Sequence, residues 1–201
     1  MKTLTLKPLK QTEMTITIEG LSSLIAHRFD EKARKMMMDK KMQKKSVGNR
    51  EACDPEQEFE QAKHKTLDGI DAIPAAALKK AICNAAHKDL GIEKTLVRKS
   101  VFIEAYDDSG NIPIEFDECV MREDKVKLSL SATDIRFRPE YKGWSCSFQI
   151  KFDEEAIPME ALINLINRAG FGVGILEWRP QKDGDHGRFT VVETLQNEEA
   201  A

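Results

Sequence analysis

Arg168-Ala-Gly-Phe-Gly-Val-Gly-Ile-Leu-Glu-Trp-Arg-Pro-Gln-Lys-Asp-Gly-Asp-His-Gly-Arg-Phe189 joins a helical stripe to a final strand. It holds five of the chain's eleven glycines and one of its two tryptophans, with Arg179, Lys182, His186 and Arg188 beside them. Glycine permits positive φ and close backbone approach. Glycines two apart among cations and aromatics suggest a loop that something lies against; the alternative is a helix cap followed by a long hairpin. Upstream, Pro158 opens a helix whose stripe is Met159, Leu162, Ile163, Ile166 and Ala169. Gly170 stands where a left-handed C-cap is expected. Downstream, Arg188-Phe-Thr-Val-Val-Glu193 reads as a strand.

The rest of the chain supplies the partners of this helix–loop–strand unit. Thr12-Glu-Met-Thr-Ile-Thr-Ile-Glu19 alternates cleanly, with Met14, Ile16 and Ile18 on one side. That pattern is a half-buried strand, interrupted at Gly20 and continued around a bulge to Ile25. It exits through His27-Arg28-Phe29. Residues 30 to 47 have helical composition, with Met36, Met37, Met38 and Met42 among lysines. Two readings stay open for them: a solvated basic helix, or a basic arm whose methionines meet an adaptable surface. Ile73-Pro74 starts the next helix, carried by Leu78, Ala81, Ile82 and Ala85 and ended at Leu90-Gly91. Two hairpins are then expected, 97–106 with 112–116 and 133–138 with 144–152, with a further strand over 120–130. With one hairpin treated as an elaboration, the order is βαββαβ, an α+β ferredoxin-like or RRM-like core. The whole 201-residue chain reads as one domain, with 28–71 as a basic helical insertion too poor in apolar residues to bury its own core.

Charge narrows the function classes. The net charge is −3, with 41% hydrophobic and 32% charged residues. Yet Arg28–Arg50 carries nine Lys or Arg against three acids, a local +6 that leaves −9 elsewhere. Residues 48 to 60 then turn acidic, as a shield for the basic stretch. No apolar run reaches the ~20 residues of a bilayer span, and the N-terminus has no signal-peptide core. These features imply no membrane partner and a cytoplasmic chain. The four cysteines are 27 to 36 residues apart and form no C-x-x-C pair, and the four histidines are equally scattered, so no metal and no cofactor is expected. Gly170–Gly174 lacks the G-x-G-x-x-G spacing and follows a helix where that motif follows a strand. There is no P-loop, no G-x-S-x-G and no H-E-x-x-H. With no catalytic constellation, binding is expected rather than catalysis.

Cations and aromatics do converge. Arg136 and Arg138 share one face of a strand near Tyr141, Lys142 and Trp144, which reads either as a charged outer face or as a stacking and phosphate-binding surface. Phosphates tracked by cations and bases stacked on aromatics are how single strands are held.

Ile73-Pro-Ala-Ala-Ala-Leu-Lys-Lys80 resembles the Ile-Pro-Ser-Ser-Leu-Lys-Gly element of the RAMP superfamily, which includes backbone subunits of CRISPR effector complexes. Alanines replace the usual serines, and Lys80 replaces a common glycine. The glycine-rich stretch occupies the place of that family's own glycine-rich loop, and 28–71 the place of its thumb. The chain also resembles a group of phage and prophage proteins with similar His27-Arg-Phe29 and Glu177-Trp-Arg-Pro180 patterns. The resemblance implies a modified RRM fold that holds single-stranded RNA along a groove and assembles side by side into a filament. Some members cleave RNA with an aspartate before the Ile-Pro element, where Asp68 and Asp71 stand here. From the residues and the resemblance together, the expected nucleic-acid site is His27, Arg28, Lys40, Lys41, Lys44, Lys45, Arg136, Arg138, Gly172, Gly174, Trp178, Arg179, Lys182 and Arg188. The expected partners are a single strand, RNA or DNA, further copies of the chain, and, as the alternative function, a host or phage protein in an anti-defence role.

Overall fold

The computed structural model describes residues 8–29, 31–43, 54–87, 90–127 and 133–196. Its central sheet has four antiparallel strands: β1 (Gln11–Gly20), β5 (Val101–Ile103), β9 (Ser145–Asp153) and β10 (Phe189–Gln196), in the spatial order β10-β1-β9-β5. Helices α3 (Ala75–Ala85) and α5 (Met159–Gly172) complete the unit. Taken along the chain this is βαββαβ, and the four strands lie fourth, first, third, second: the ferredoxin-like arrangement itself. The expected fold class holds. Met14, Ile16 and Ile18 are fully buried beneath the helices, with Phe148, Ile150 and Phe152 from β9. Leu78, Ala81 and Ile82 of α3 and Leu162, Leu165 and Ile166 of α5 close the core from the other side. Burying each large aliphatic side chain of this kind stabilises the fold by about 1.5–3 kcal/mol.

Two small sheets elaborate the core. One has the order β2-β8-β7, from β2 (Leu24–Ile25), β7 (Glu118–Lys127) and β8 (Thr133–Lys142). The other is β3-β4-β6, from β3 (His64–Lys65), β4 (Asp71–Pro74) and β6 (Asn111–Pro113). The segment 28–71 contributes α1 (Glu31–Lys41), α2 (Pro55–Gln61), β3 and the first residue of β4. Of these, α2 lies on β8.

Several local expectations are corrected. Neither expected hairpin forms: β5 pairs with β9 and β6 with β4, while β8 pairs with β7 over ten positions and β9 pairs with β1. The chain turns a corner from one sheet to another at Gly143, whose φ is +60°. Residues 94–100 form helix α4 (Lys94–Ser100); Val97, Ser100 and Val101 are buried at helical spacing. Helix α3 stops at Ala85, well before Leu90, and Pro74 is its N-cap after ending β4. Gly170 is inside α5, where a Cβ would overlap the carbonyl oxygen of Phe189 on β10. It is there for close helix–strand packing, and the cap falls elsewhere.

Candidate nucleic-acid interface

Helix α5 has Val173 as its C-cap, and Gly174 follows it as the left-handed residue that ends the helix. At φ +68° the Gly174 N–H donates to Ala169 O at 2.8 Å, and a Cβ there would stand 2.7 Å from Cδ of Pro180. Gly174 was expected to admit a strand of nucleic acid; the helix end and Pro180 account for it instead. Gly172 is helical and exposed, with nothing within 4 Å of its Cβ direction. Beyond the cap the loop is laced to the turn after β1. Gly187 N–H donates to Ser23 O at 2.8 Å, Arg188 N–H to Ser22 Oγ at 3.1 Å, and Glu177 N–H to Ile25 O at 3.1 Å. The loop also folds on itself, through Ile175 N–H to Gly187 O at 3.0 Å and His186 N–H to Trp178 O at 3.0 Å. Three non-glycine residues are left-handed here: Leu176 (φ 59°), Trp178 (51°) and Asp183 (60°). Each costs about 1–2 kcal/mol, which the surrounding hydrogen bonds offset. The loop is therefore held in one shape, and it keeps Trp178 40% exposed at the surface.

An ionic chain continues from this loop into the β7–β8 ribbon. Ser23 donates to Glu140 at 2.5 Å and lies 2.9 Å from His186 Nδ1. With its one proton spent on Glu140, Ser23 accepts from the Nδ1–H of His186. Glu140 also takes Arg122 at 3.5 Å, Arg122 pairs with Asp124 at 2.7 Å, and Asp124 takes Arg138 at 3.3 Å. Arg138 is thus a correction. Its side chain is buried and spends its charge on Asp124, so it braces the ribbon and offers nothing to a phosphate. Arg136 sits on the same face, partly exposed and paired with Asp134 at 2.9 Å.

A cationic concavity lies at the exit of β2. Arg28 N–H donates to Ala62 O at 2.9 Å, tying the exit to the end of α2. Asp54 caps that helix, accepting from Glu56 and Gln57 N–H, with Pro55 as its first residue. A recess of ≈ 280 Å³ forms between Arg28, Phe29, Gln57, Glu60, Gln61, Lys63 and Lys65. Three cations line it against one carboxylate: Glu60 takes Lys63 at 2.5 Å and Lys65 at 3.2 Å. The hydrogen bond from Lys63 comes first in holding the Glu60 carboxyl below its usual range. Lys63 also sits 4.3 Å above the Phe59 ring. An adjoining cleft brings His27, Arg28 and Arg136 together. His64 is pushed down to about 4, by burial first and then by the positive Arg28 and His27.

That depression has a stability consequence with a definite sign. A histidine that protonates near 4 when folded and near 6.5 when unfolded makes the unfolded chain take up the proton first as pH falls. The stability is fully present above pH 6.5 and is lost on the way down to 4. Unfolding by urea is expected to show the protein about 2 kcal/mol less stable at pH 5 than at pH 8. His64→Gln removes this dependence; an unchanged slope in the variant contradicts the assignment.

Of the expected site residues, His27, Arg28 and Arg136 meet around the recess and its cleft. Trp178, Arg179, Lys182 and Arg188 share the glycine-rich loop, which meets the same strand exit at Ile25. Arg179 is turned inward, donating to Leu176 O at 2.6 Å. Arg188 lies 5.1 Å over the ring of Phe171, which is 69% exposed. Lys41 ends α1 and is exposed; the Lys40 side chain, Lys44 and Lys45 lie outside the described residues. Lys63, Lys65 and Phe171 were missed. The sequence signal for the first two was Lys63-His-Lys65, directly after a capped acidic helix. Asp71 accepts from the Tyr141 hydroxyl at 3.2 Å, and Asp68 is exposed in the turn before it. Among the described residues no cluster of His, Cys, Asp or Glu is placed to hold a metal ion, and no helix is long and apolar enough to cross a membrane.

No protein-family model matches the chain, and no curated protein matches it. Solved structures similar to it include Cmr6 from Pyrococcus furiosus, at 11% identity and TM-score 0.42 over 92% of this chain and 100% of that one. A second is the type III-B Cmr-beta complex bound to cognate target RNA, at 11% identity and TM-score 0.42 over 93% of this chain and 61% of that one. These likenesses are remote, and the ferredoxin-like assignment rests on the chain's own strand order.

Proposed function

We infer that this chain binds single-stranded nucleic acid, RNA or DNA, as a RAMP-like protein of the phage type. Several copies lie along one strand, in the cytoplasm of a bacterial host. The observation that carries the reading is the recess at the exit of β2, lined by Arg28, Lys63 and Lys65 beside Phe29, with Glu60 its one carboxylate and the two lysines resting on it. Cations around an aromatic suit a phosphate with a base next to it. Trp178, Lys182, Arg188 and the open Gly172 extend the surface along the glycine-rich stretch, and the positive charge of the sequence from Arg28 to Arg50 adds to its attraction for phosphates. His27 and Arg136 flank the recess.

Fluorescence anisotropy with labelled single-stranded and duplex oligonucleotides tests this. The single strand is expected to bind more tightly, and absence of binding to it at low salt removes the reading. A charge reversal of effect sharpens the test. Glu60→Gln releases both lysines from their carboxylate and is expected to tighten binding about fivefold at 0.1 M salt, the value of one phosphate contact.

A second reading, a protein-interaction module that disables a host defence complex, is favoured by one observation. Met37, Met38 and Met42 are 63%, 48% and 58% exposed on or beside α1, an adaptable apolar strip within a basic helix. A host protein retained after nuclease treatment, and lost when the three methionines become serine, supports it.

A further inference from the structure

The face of the central sheet away from the helices differs in chemistry from the basic recess. Registered pairs place Glu13 with Lys151, Thr15 with Gln149, Thr17 with Ser147 and Glu19 with Ser145 on that face. Lys151 is spent on Glu13 at 2.9 Å and Glu104 at 2.8 Å. With Glu13, Glu19 and Glu104 against Lys151, the face repels phosphate. On it lies a pocket of ≈ 350 Å³, the lower end of the range for small-molecule sites. Its polar groups are the hydroxyls of Thr15 and Ser147, the amide of Gln149 and the carboxylate of Glu104. Tyr106 and Pro113 supply flat apolar walls, and Tyr106 is 58% exposed.

We propose that this pocket takes an amino-bearing nucleobase, adenine in the first place. An uncharged flat heterocycle satisfies what the pocket offers and avoids what it repels. A glutamine amide both donates and accepts, which matches the N6/N7 edge of adenine. A carboxylate accepts from an exocyclic amine and rejects a carbonyl in its place. Tyrosine gives a stacking surface worth the same for any base, so selectivity comes from Gln149 and Glu104. The pocket also has a fixed place relative to the recess. Pro113 is on β6, paired with β4, which is paired with β3 carrying Lys65. Two inter-strand gaps of ~4.8 Å separate them, so a strand held by its phosphates at the recess can present a base here. In this the proposal rests on the reading of the protein as a single-strand binder, but its ligand is the base and needs no phosphate.

The test uses free nucleosides on the full chain, followed by amide chemical shifts. Adenosine is expected to move Ser147, Gln149 and Tyr106 resonances saturably and to bind about tenfold more tightly than uridine. Gln149→Leu is expected to reduce that preference to near unity while leaving the spectrum otherwise folded. Glu104→Gln, a second surface variant, is expected to narrow it in part. Equal response to adenosine and uridine, shifts confined to other residues, or no shift at 10 mM adenosine (about 10 mM being well above a weak single-base site) overturns the proposal. An oligonucleotide of abasic sites separates the two readings. If it binds and adenosine does not, the pocket falls and the phosphate surface stands; if adenosine binds and the abasic strand does not, the reverse holds.

Discussion

Trp144→Ala is expected to destabilise the protein by about 3–5 kcal/mol, measured by urea unfolding. The indole is 1% exposed and lies where three segments meet. It packs against Gly20 so closely that a Cβ there would overlap the ring. Its edge meets Phe189 at 6.4 Å between ring centroids and 69° between planes. Its Nε1–H donates to Ser22 O at 2.8 Å. Removing it leaves a cavity under the turn after β1 and a carbonyl without its donor, and each adds to the loss. Ser22 and Ser23 are the anchors of the glycine-rich loop, so the variant's second effect is local. Hydrogen exchange at Gly187, whose N–H donates to Ser23, is expected to accelerate beyond the global loss. Trp144→Phe keeps a ring and loses the donor, and is expected to cost less than the alanine variant. Equal stability of Trp144→Ala and the parent contradicts this account of how the loop is held.

The largest functional effect is expected from Arg28→Ala, Lys63→Ala and Lys65→Ala combined. Each phosphate contact to a single strand contributes a salt slope of roughly −0.7. At 0.1 M salt that is about fivefold in affinity per contact, so the triple variant loses on the order of 100-fold and its log–log slope flattens by about 2. The three side chains line a recess on one flank of α2, so their removal leaves the central sheet untouched. Lys63 and Lys65 both rest on Glu60 in the free protein, and a strand has to compete with that carboxylate. The Glu60→Gln variant is thus the paired control, since loss in one and gain in the other follow from one electrostatic cause. A triple variant that binds as the parent does places the phosphates elsewhere.

How far the sequence disclosed this arrangement depended on whether the information was local. The alternation of Met14, Ile16 and Ile18 and the stripes of α3 and α5 were legible because strand and helix periods are written in consecutive residues. Strand pairing was not. β8 runs through Pro139 to Lys142 and pairs with β7, although β9 begins three residues later. Pro139-Glu-Tyr-Lys-Gly143 reads as a hairpin loop in sequence, but in space the strand continues to Lys142 and Gly143 is a corner between sheets. Helix α2 was legible in principle, since Asp54-Pro55-Glu56 is a capped start; its run of acids drew the reading toward a charged shield. At the site, the shared face of Arg136 and Arg138 was correctly anticipated. The pairing of Arg138 with Asp124 was not, because the β7–β8 register that brings them together is a long-range fact, whereas Asp134 lies two residues from Arg136 on the same strand and was within local reach. The glycines were half legible. Gly170 and Gly174 each had an internal structural reason, but the roles were exchanged: the former is packed against β10 and the latter, left-handed just past the C-cap Val173, ends α5.

The central claim is that a cationic surface at the exit of β2 holds the phosphates of a single strand. Affinity for a labelled single-stranded oligonucleotide, measured from 0.05 to 0.3 M salt, tests it most directly. With three recess cations and further contacts from the loop, the log–log slope is predicted to be about −2 or steeper, falling toward zero in the triple variant. A slope near zero in the parent protein, or no binding at the lowest salt, contradicts it.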